Sequence, residues 1–194
     1  VTSFYRPEST PLSGAVTVLP PFLRDMVVDM TPSAGGHVVA YQGYSTFEAF
    51  APFLKTIKRK VMVYGLGLTG ADENLVYREP SEGQFLADLA SCSYVICGGG
   101  HTLMSEALYL GKPVLSFPIR EACEQQLNAI YLQRLGYGMF SRSYRPERLL
   151  LETFESGLDR FRDNIGKGQF LGNPVIFARI GEFISRLKHT GSSS

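Results

Sequence analysis

From Val38 onward, short apolar runs alternate with longer runs in which apolar residues recur at helical spacing. The short runs are Val38-Val-Ala-Tyr41, Val61-Met-Val-Tyr64, Asn74-Leu-Val-Tyr77, Tyr94-Val-Ile-Cys97, Val114-Leu-Ser-Phe117 and Gly136-Tyr-Gly-Met-Phe140. Most are rich in β-branched or aromatic residues and all are too short for a helix, so six strands are predicted. Between them, Phe47, Phe50, Phe53, Leu54 and Ile57 fall on one helix face. The same holds for Phe85, Leu86 and Leu89, and for Leu127, Ile130, Tyr131 and Leu135. Helices are therefore expected over 47–57, 82–90, 102–110 and 124–135, the third stopping at Gly111, since glycine commonly ends a helix. Two more, over 146–162 and 174–188, close the pattern. The last carries Val175, Ile176, Ile180, Phe183, Ile184 and Leu187 on one face, and it is expected to pack on its own sheet or on a second copy.

Strands that are apolar throughout must be covered on both faces, and strand–helix alternation supplies the cover. The expected fold class is α/β: a Rossmann-like parallel sheet with helices on both sides. Residues 1–34 depart from the pattern. They hold Pro7, Pro11, Pro20, Pro21 and Pro32 around one apolar run, Val16-Thr-Val-Leu19, and read as a linker or the tail of a preceding domain. Residues 190–194 read as a flexible tail, which leaves 35–189 as the folded domain. An opening Val1 in place of Met, together with that tail, suggests a piece of a longer protein.

Bulk properties narrow the partners. The 194 residues are 44% hydrophobic and 19% charged, enough to bury a real core. With 19 Lys and Arg against 18 Asp and Glu, the net charge of +1 gives no field to attract nucleic acid. Any anion must be held by local geometry. Cys92, Cys97 and Cys123 form no C-x-x-C pair, so neither a disulfide framework nor a zinc cluster is expected. They read as three buried thiols of a cytoplasmic protein, and neither a signal peptide nor a membrane span is evident.

Two glycine turns follow strands. Gly65-Leu-Gly-Leu-Thr-Gly70 spells G-x-G-x-x-G, but Ala71-Asp-Glu-Asn74 leads straight into another strand. A dinucleotide fingerprint needs a helix there to face the pyrophosphate, so a strand-to-strand loop is the expectation. Gly98-Gly-Gly-His-Thr102 differs, because it follows a buried strand and opens a helix. Glycines admit a phosphate to the backbone, and the free N–H groups and dipole of a helix start favour its charge. Glu106 lies four residues beyond Thr102, about 6 Å along the axis, where a carboxylate accepts both hydroxyls of a ribose. The alternative is a tight packing turn with Glu106 a surface acid. His101 either donates to a phosphate or caps the helix. Glu124-Gln125-Gln126-Leu127-Asn128 opens the next helix, its acid and amides suited to sugar hydroxyls. Ordinary polarity at a helix N-terminus explains the same residues.

In order, Cys97-Gly-Gly-Gly-His-Thr-Leu-Met-Ser-Glu106-Ala, Gly111-Lys-Pro113-Val, Pro118, and Glu124-Gln125 with Asn128-Ala129 resemble the donor-site signature of GT-B glycosyltransferases. The likeness is closest to UDP-glucuronosyltransferase-like enzymes and the peptidoglycan N-acetylglucosaminyltransferase. It is tight from about Asn74 to Phe140.

The resemblance implies that Gly99, Gly100, His101 and Thr102 hold the pyrophosphate of a nucleoside diphosphate sugar, a UDP-sugar by expectation. Glu106 would hold the ribose, Glu124 and Gln125 the transferred sugar with Asn128 beside them, and Tyr77 and Arg78 would border the base. It implies an enzyme of the hexosyltransferase type, of which this chain is the donor-binding half. The general base would come from a preceding acceptor domain, so the chain alone binds donor and catalyses nothing, and any membrane association belongs to that other half. No cofactor and no metal are implied. Three departures leave base and sugar open: the chain has no Trp to stack on a base, Gly98 stands where the glucuronosyltransferase signature has histidine, and the step from Pro118 to Glu124 differs. Other readings are a UDP-sugar 2-epimerase-like enzyme, using acids with His37 or His101, a non-catalytic sugar-nucleotide-binding subunit, and a dinucleotide oxidoreductase using Gly65–Gly70.

Overall fold

A computed structural model describes residues 1–6, 16–43, 47–143 and 145–190. Pro7 and Pro11, Tyr44–Thr46 after the first strand, and residues 191–194 of the expected tail lie outside the described residues. Seven strands form one sheet: β1 (Val38–Tyr41), β2 (Val61–Tyr64), β3 (Gly70–Asp72), β4 (Leu75–Tyr77), β5 (Val95–Cys97), β6 (Val114–Ser116) and β7 (Gly138–Phe140). Their order is β3-β4-β2-β1-β5-β6-β7. Every pairing is parallel except β3 with β4.

Alternation along the strands divides the core in two. Val39, Val95, Cys97 and Val114 point to one face, where they meet α3 (Glu82–Ser91), α4 (His101–Tyr109) and Leu132 of α5 (Cys123–Arg134). Val38, Ala40, Val61, Val63, Ile96 and Leu115 point to the other, against α2 (Phe50–Lys55), α6 (Arg148–Ser156) and α7 (Leu158–Ile165). This is the expected Rossmann-like α/β fold with helices on both faces, because a strand apolar at every position has no side to give to water.

Several elements differ from the sequence expectation. The edge strand β3 is exposed at all three residues and carries no apolar signal. The helix expected over 146–162 is two helices, since Gly157 ends α6 and precedes α7. The break lets Leu151 and Phe154 on one helix, and Leu158 and Phe161 on the next, reach the same core. Cys92 and Cys97 are buried, but Cys123 at the start of α5 is exposed. Among residues 1–34, α1 (Asp25–Val28) is helical, and Phe4, Leu23 and Val27 are buried. Phe4 and Val27 join the core on the α3–α4 side.

The final helix, α8 (Asn173–Thr190), forms as expected but does not pack on the sheet: Phe177, Ile180, Phe183, Ile184 and Leu187 are all exposed. Its start is tied to the N-terminal segment, where Asn173 Oδ1 accepts from Leu23 N at 2.9 Å and Asn173 Nδ2 donates to Leu23 O at 2.8 Å. No helix among the described residues is long and apolar enough to cross a membrane.

Candidate functional site

The carboxyl ends of β1, β2 and β5 open onto a cleft of about 690 Å³. Its floor is the turn from β5 into α4. Gly99 has φ +100°, a backbone state that side chains rarely adopt, and a Cβ there would stand 3.1 Å from Gln125 O and from Ser116 Oγ. Gly100, the residue before α4, has nothing within 4 Å of a built Cβ, so its face is open to the cleft. The first bond of α4 runs from Met104 N to Gly100 O at 3.2 Å, and no side chain caps the helix. The amides of His101, Thr102 and Leu103 precede that bond and have no partner within the helix. Thr102 is exposed in the cleft. This is an anion-binding geometry.

Glu106 lines the same cleft but is only 2% exposed, and it is not the solvated acid of the alternative reading. Both its oxygens are engaged: Arg24 Nε donates to Oε1 at 2.8 Å and an Arg24 Nη to Oε2 at 2.8 Å. The other Arg24 Nη donates to Glu82 at the start of α3. These carboxylates raise the Arg24 pKa further, the Glu106 hydrogen bond first among the causes. Sequence reading missed Arg24, which lies 82 residues from Glu106 in a segment without periodicity. It also missed Tyr41, Tyr64 and Phe85, aromatic side chains that wall the cleft. Phe85 meets Tyr41 and Tyr64 edge-on at 5.7 and 5.0 Å.

Tyr77 and Arg78 stand apart from this cleft. Tyr77 packs against the core on the α2 side. Arg78 Nε approaches Asp88 Oδ2 at 3.6 Å, and Asp88 accepts Tyr64 Oη at 2.6 Å. Burial, then that hydrogen bond, pushes the Tyr64 phenol up. On this side the cleft is lined by Pro80, Ser81 and Phe85.

The residues expected around a sugar divide. Glu124 is exposed and lines the cleft. Gln125 lines a smaller adjoining chamber of about 250 Å³, and its Oε1 accepts from Ile119 N at 3.2 Å. Asn128 is buried; its Nδ2 donates to Gly99 O at 3.0 Å and to Glu124 Oε1 at 3.4 Å. It thus pins the glycine turn to α5. His101 stacks on Phe4 with ring centroids 5.3 Å apart, and its Nε2 has no partner. Burial lowers its pKa, and Glu124 opposes part of that shift. The imidazole is therefore neutral near pH 7. His37 lies outside the cleft, its Nε2 3.0 Å from Asp88 O. Among the described residues no three of His, Cys, Asp and Glu converge as a metal site. The Gly65–Gly70 loop enters strand β3 and starts no helix, so the dinucleotide arrangement is not formed there.

An uncapped helix start and a buried acid on the same helix thus share one cleft at the strand ends. Residues 1–158 match the family model of glycosyl transferase family 1, and the chain belongs to that family. An uncharacterized glycosyltransferase of Methanosarcina mazei is 36% identical over 89 residues, 45% of this chain and 24% of the relative. The chain matches only about a quarter of that relative's length. Calicheamicin glycosyltransferase CalG4 superposes with a TM-score of 0.59 at 16% identity, over 94% of this chain and 50% of that one. Os79 from O. sativa, solved in complex with UDP, gives 0.50 at 14% identity over 74% of this chain and 37% of that one. At these identities the likeness is one of fold.

Proposed function

We propose that this chain is the donor-binding half of a glycosyltransferase that takes a sugar from a UDP-sugar. One observation carries the reading: the uncapped start of α4 and the buried Glu106 share one cleft, one helical turn apart. A diphosphate on the amides of residues 101–103 puts a ribose beside Glu106. A carboxylate has about four acceptor sites, so the two bonds from Arg24 leave capacity for a diol. The base lies toward Pro80–Phe85, and the solved Os79–UDP complex supports a uridine nucleotide as the first choice. The transferred sugar then lies toward Glu124 and Gln125.

In such a reaction the helix N–H groups and dipole stabilise charge on the departing diphosphate. Proton removal from the acceptor hydroxyl falls to a base contributed from outside this chain, since His101, which lines the cleft, is stacked on Phe4 at the α4 start, and Glu124 faces the donor. Calorimetric titration with UDP, GDP, NAD and UDP-sugars tests the reading. UDP binding that Glu106→Ala weakens in a folded chain supports it; NAD binding without UDP binding overturns it.

A further inference from the structure

The small chamber beside the cleft holds a group the reading above leaves unused. Gln42, the residue after β1, is 4% exposed, yet its Oε1 has no hydrogen-bond partner. A buried amide oxygen without a partner carries a desolvation cost until a donor arrives. Its position is set by the backbone, where Gln42 N donates to Tyr64 O at 3.2 Å. Gly98 supplies the space: a Cβ there would stand 3.1 Å from Gln42 Oε1 and 3.4 Å from Gln125 Oε1. Two amide oxygens from different elements thus converge over one bare glycine. The buried Ser116 Oγ, likewise without a partner, lies beside the next glycine.

The chamber's charge is equally specific. Among the described residues, its lining carries no charged side chain: Gln42 and Gln125 are its polar members, beside Tyr41, Leu103 and Ile119. On the cleft side the lining adds a carboxylate, Glu124. At about 250 Å³ it equals roughly eight waters at about 30 Å³ each, room for one pyranose ring. It meets the larger cleft at Tyr41 and Gly100, the end where a diphosphate on α4 would present its sugar.

We infer that Gln42 is a specificity-determining residue that accepts a hydroxyl of the transferred sugar, and that the chamber selects a neutral hexose over a uronic acid. Hydroxyl donors satisfy the converging amide oxygens. A carboxylate would meet two acceptor oxygens against one amide donor, Gln42 Nε2 at 3.5 Å from the same Cβ position, next to Glu124 and with no cation among the described lining residues. This rests on the donor-site reading, and the test separates the two.

The 194-residue chain is titrated calorimetrically with UDP, UDP-glucose, UDP-N-acetylglucosamine and UDP-glucuronate. UDP with a neutral hexose is expected to bind about three- to tenfold tighter than UDP, one well-placed hydrogen bond's worth, and UDP-glucuronate no tighter than UDP. Gln42→Ala should leave UDP affinity unchanged and remove the increment. Gln42→Met keeps the volume and removes the unpartnered oxygen, so it should melt no lower than wild type while also losing the increment. An increment that survives in Gln42→Met, a wild type that shows none, or UDP-glucuronate binding as tightly as UDP-glucose overturns the inference with the donor site intact. Failure of the wild type to bind UDP at all overturns the donor-site reading instead.

Discussion

Glu106 is buried, charged-paired and placed where a ribose diol is expected, so its loss should separate folding from binding. Its partner Arg24 keeps a side chain 41% exposed, and water takes over that guanidinium when the carboxylate goes. Glu106→Ala is therefore expected to fold, while UDP affinity falls by ten- to a hundredfold, matching hydrogen bonds to a charged group of roughly 1.5–3 kcal/mol. Titration alongside a melting curve checks it; unchanged affinity in a folded variant means the ribose lies elsewhere. His101 gives a second residue-scale expectation. Its folded pKa is lowered below the ordinary 6.5, chiefly by burial, so folding favours the neutral ring. The stability this contributes is present above about pH 6.5 and is lost as pH falls through the folded value. Between pH 7.5 and 5, wild type should lose more melting temperature than His101→Gln, even if the variant starts lower for want of the Phe4 stack. Parallel curves would leave His101 without a titrating role.

At the scale of the element, the two glycines that begin the α4 turn predict opposite outcomes. Gly99 combines a positive φ with close neighbours, so Gly99→Ala should cost about 1–3 kcal/mol of stability. Gly100 has open space, so Gly100→Val should melt near wild type yet lose tenfold or more in UDP affinity, equivalent to at least roughly 1.4 kcal/mol. Thermal denaturation and titration of both variants decide; if Gly100→Val binds UDP normally, the phosphate does not sit on this turn. That turn was legible in the sequence because a buried strand, three glycines and a helix occur in immediate succession, and each leaves a local mark. So were β1, β2, β5 and β6, whose residues are apolar at nearly every position. Strand β3 was not, since Gly70-Ala-Asp72 is exposed throughout and exists only by pairing with β4. Nor was the Arg24–Glu106 pair, which joins residues without periodic or motif context. The orphaned amide of Gln42 depends on what Gly98 lacks, and a sequence does not display an empty volume.

On the scale of the whole molecule, α8 is the part whose energetics do not close within the chain. Fully burying a Phe or Leu side chain contributes about 1.5–3 kcal/mol, yet Phe177, Phe183 and Leu187 remain 57%, 63% and 56% exposed. Phe22, 51% exposed, meets Phe177 edge-on at 5.7 Å, so the apolar surface continues onto the N-terminal segment. The tether at Leu23 and Asn173 holds the two parts together at the domain's margin. Under the proposed reading as a donor-binding half, the cover for this face is the acceptor half of a complete transferase. If so, Ile180, Phe183 and Ile184, all largely exposed, contribute little to the stability of the 194 residues alone and promote contact between copies. Replacing Ile180, Phe183 and Ile184 together with Glu should therefore leave the melting temperature within a degree or two of wild type. Sedimentation at increasing concentration should show wild type associating and the triple variant remaining monomeric. In a longer protein that includes the acceptor half, the same triple change should lower the melting temperature, because there the face is buried. A drop of several degrees in the 194-residue chain itself would mean that α8 folds back onto its own domain and that the exposed face is not an interface.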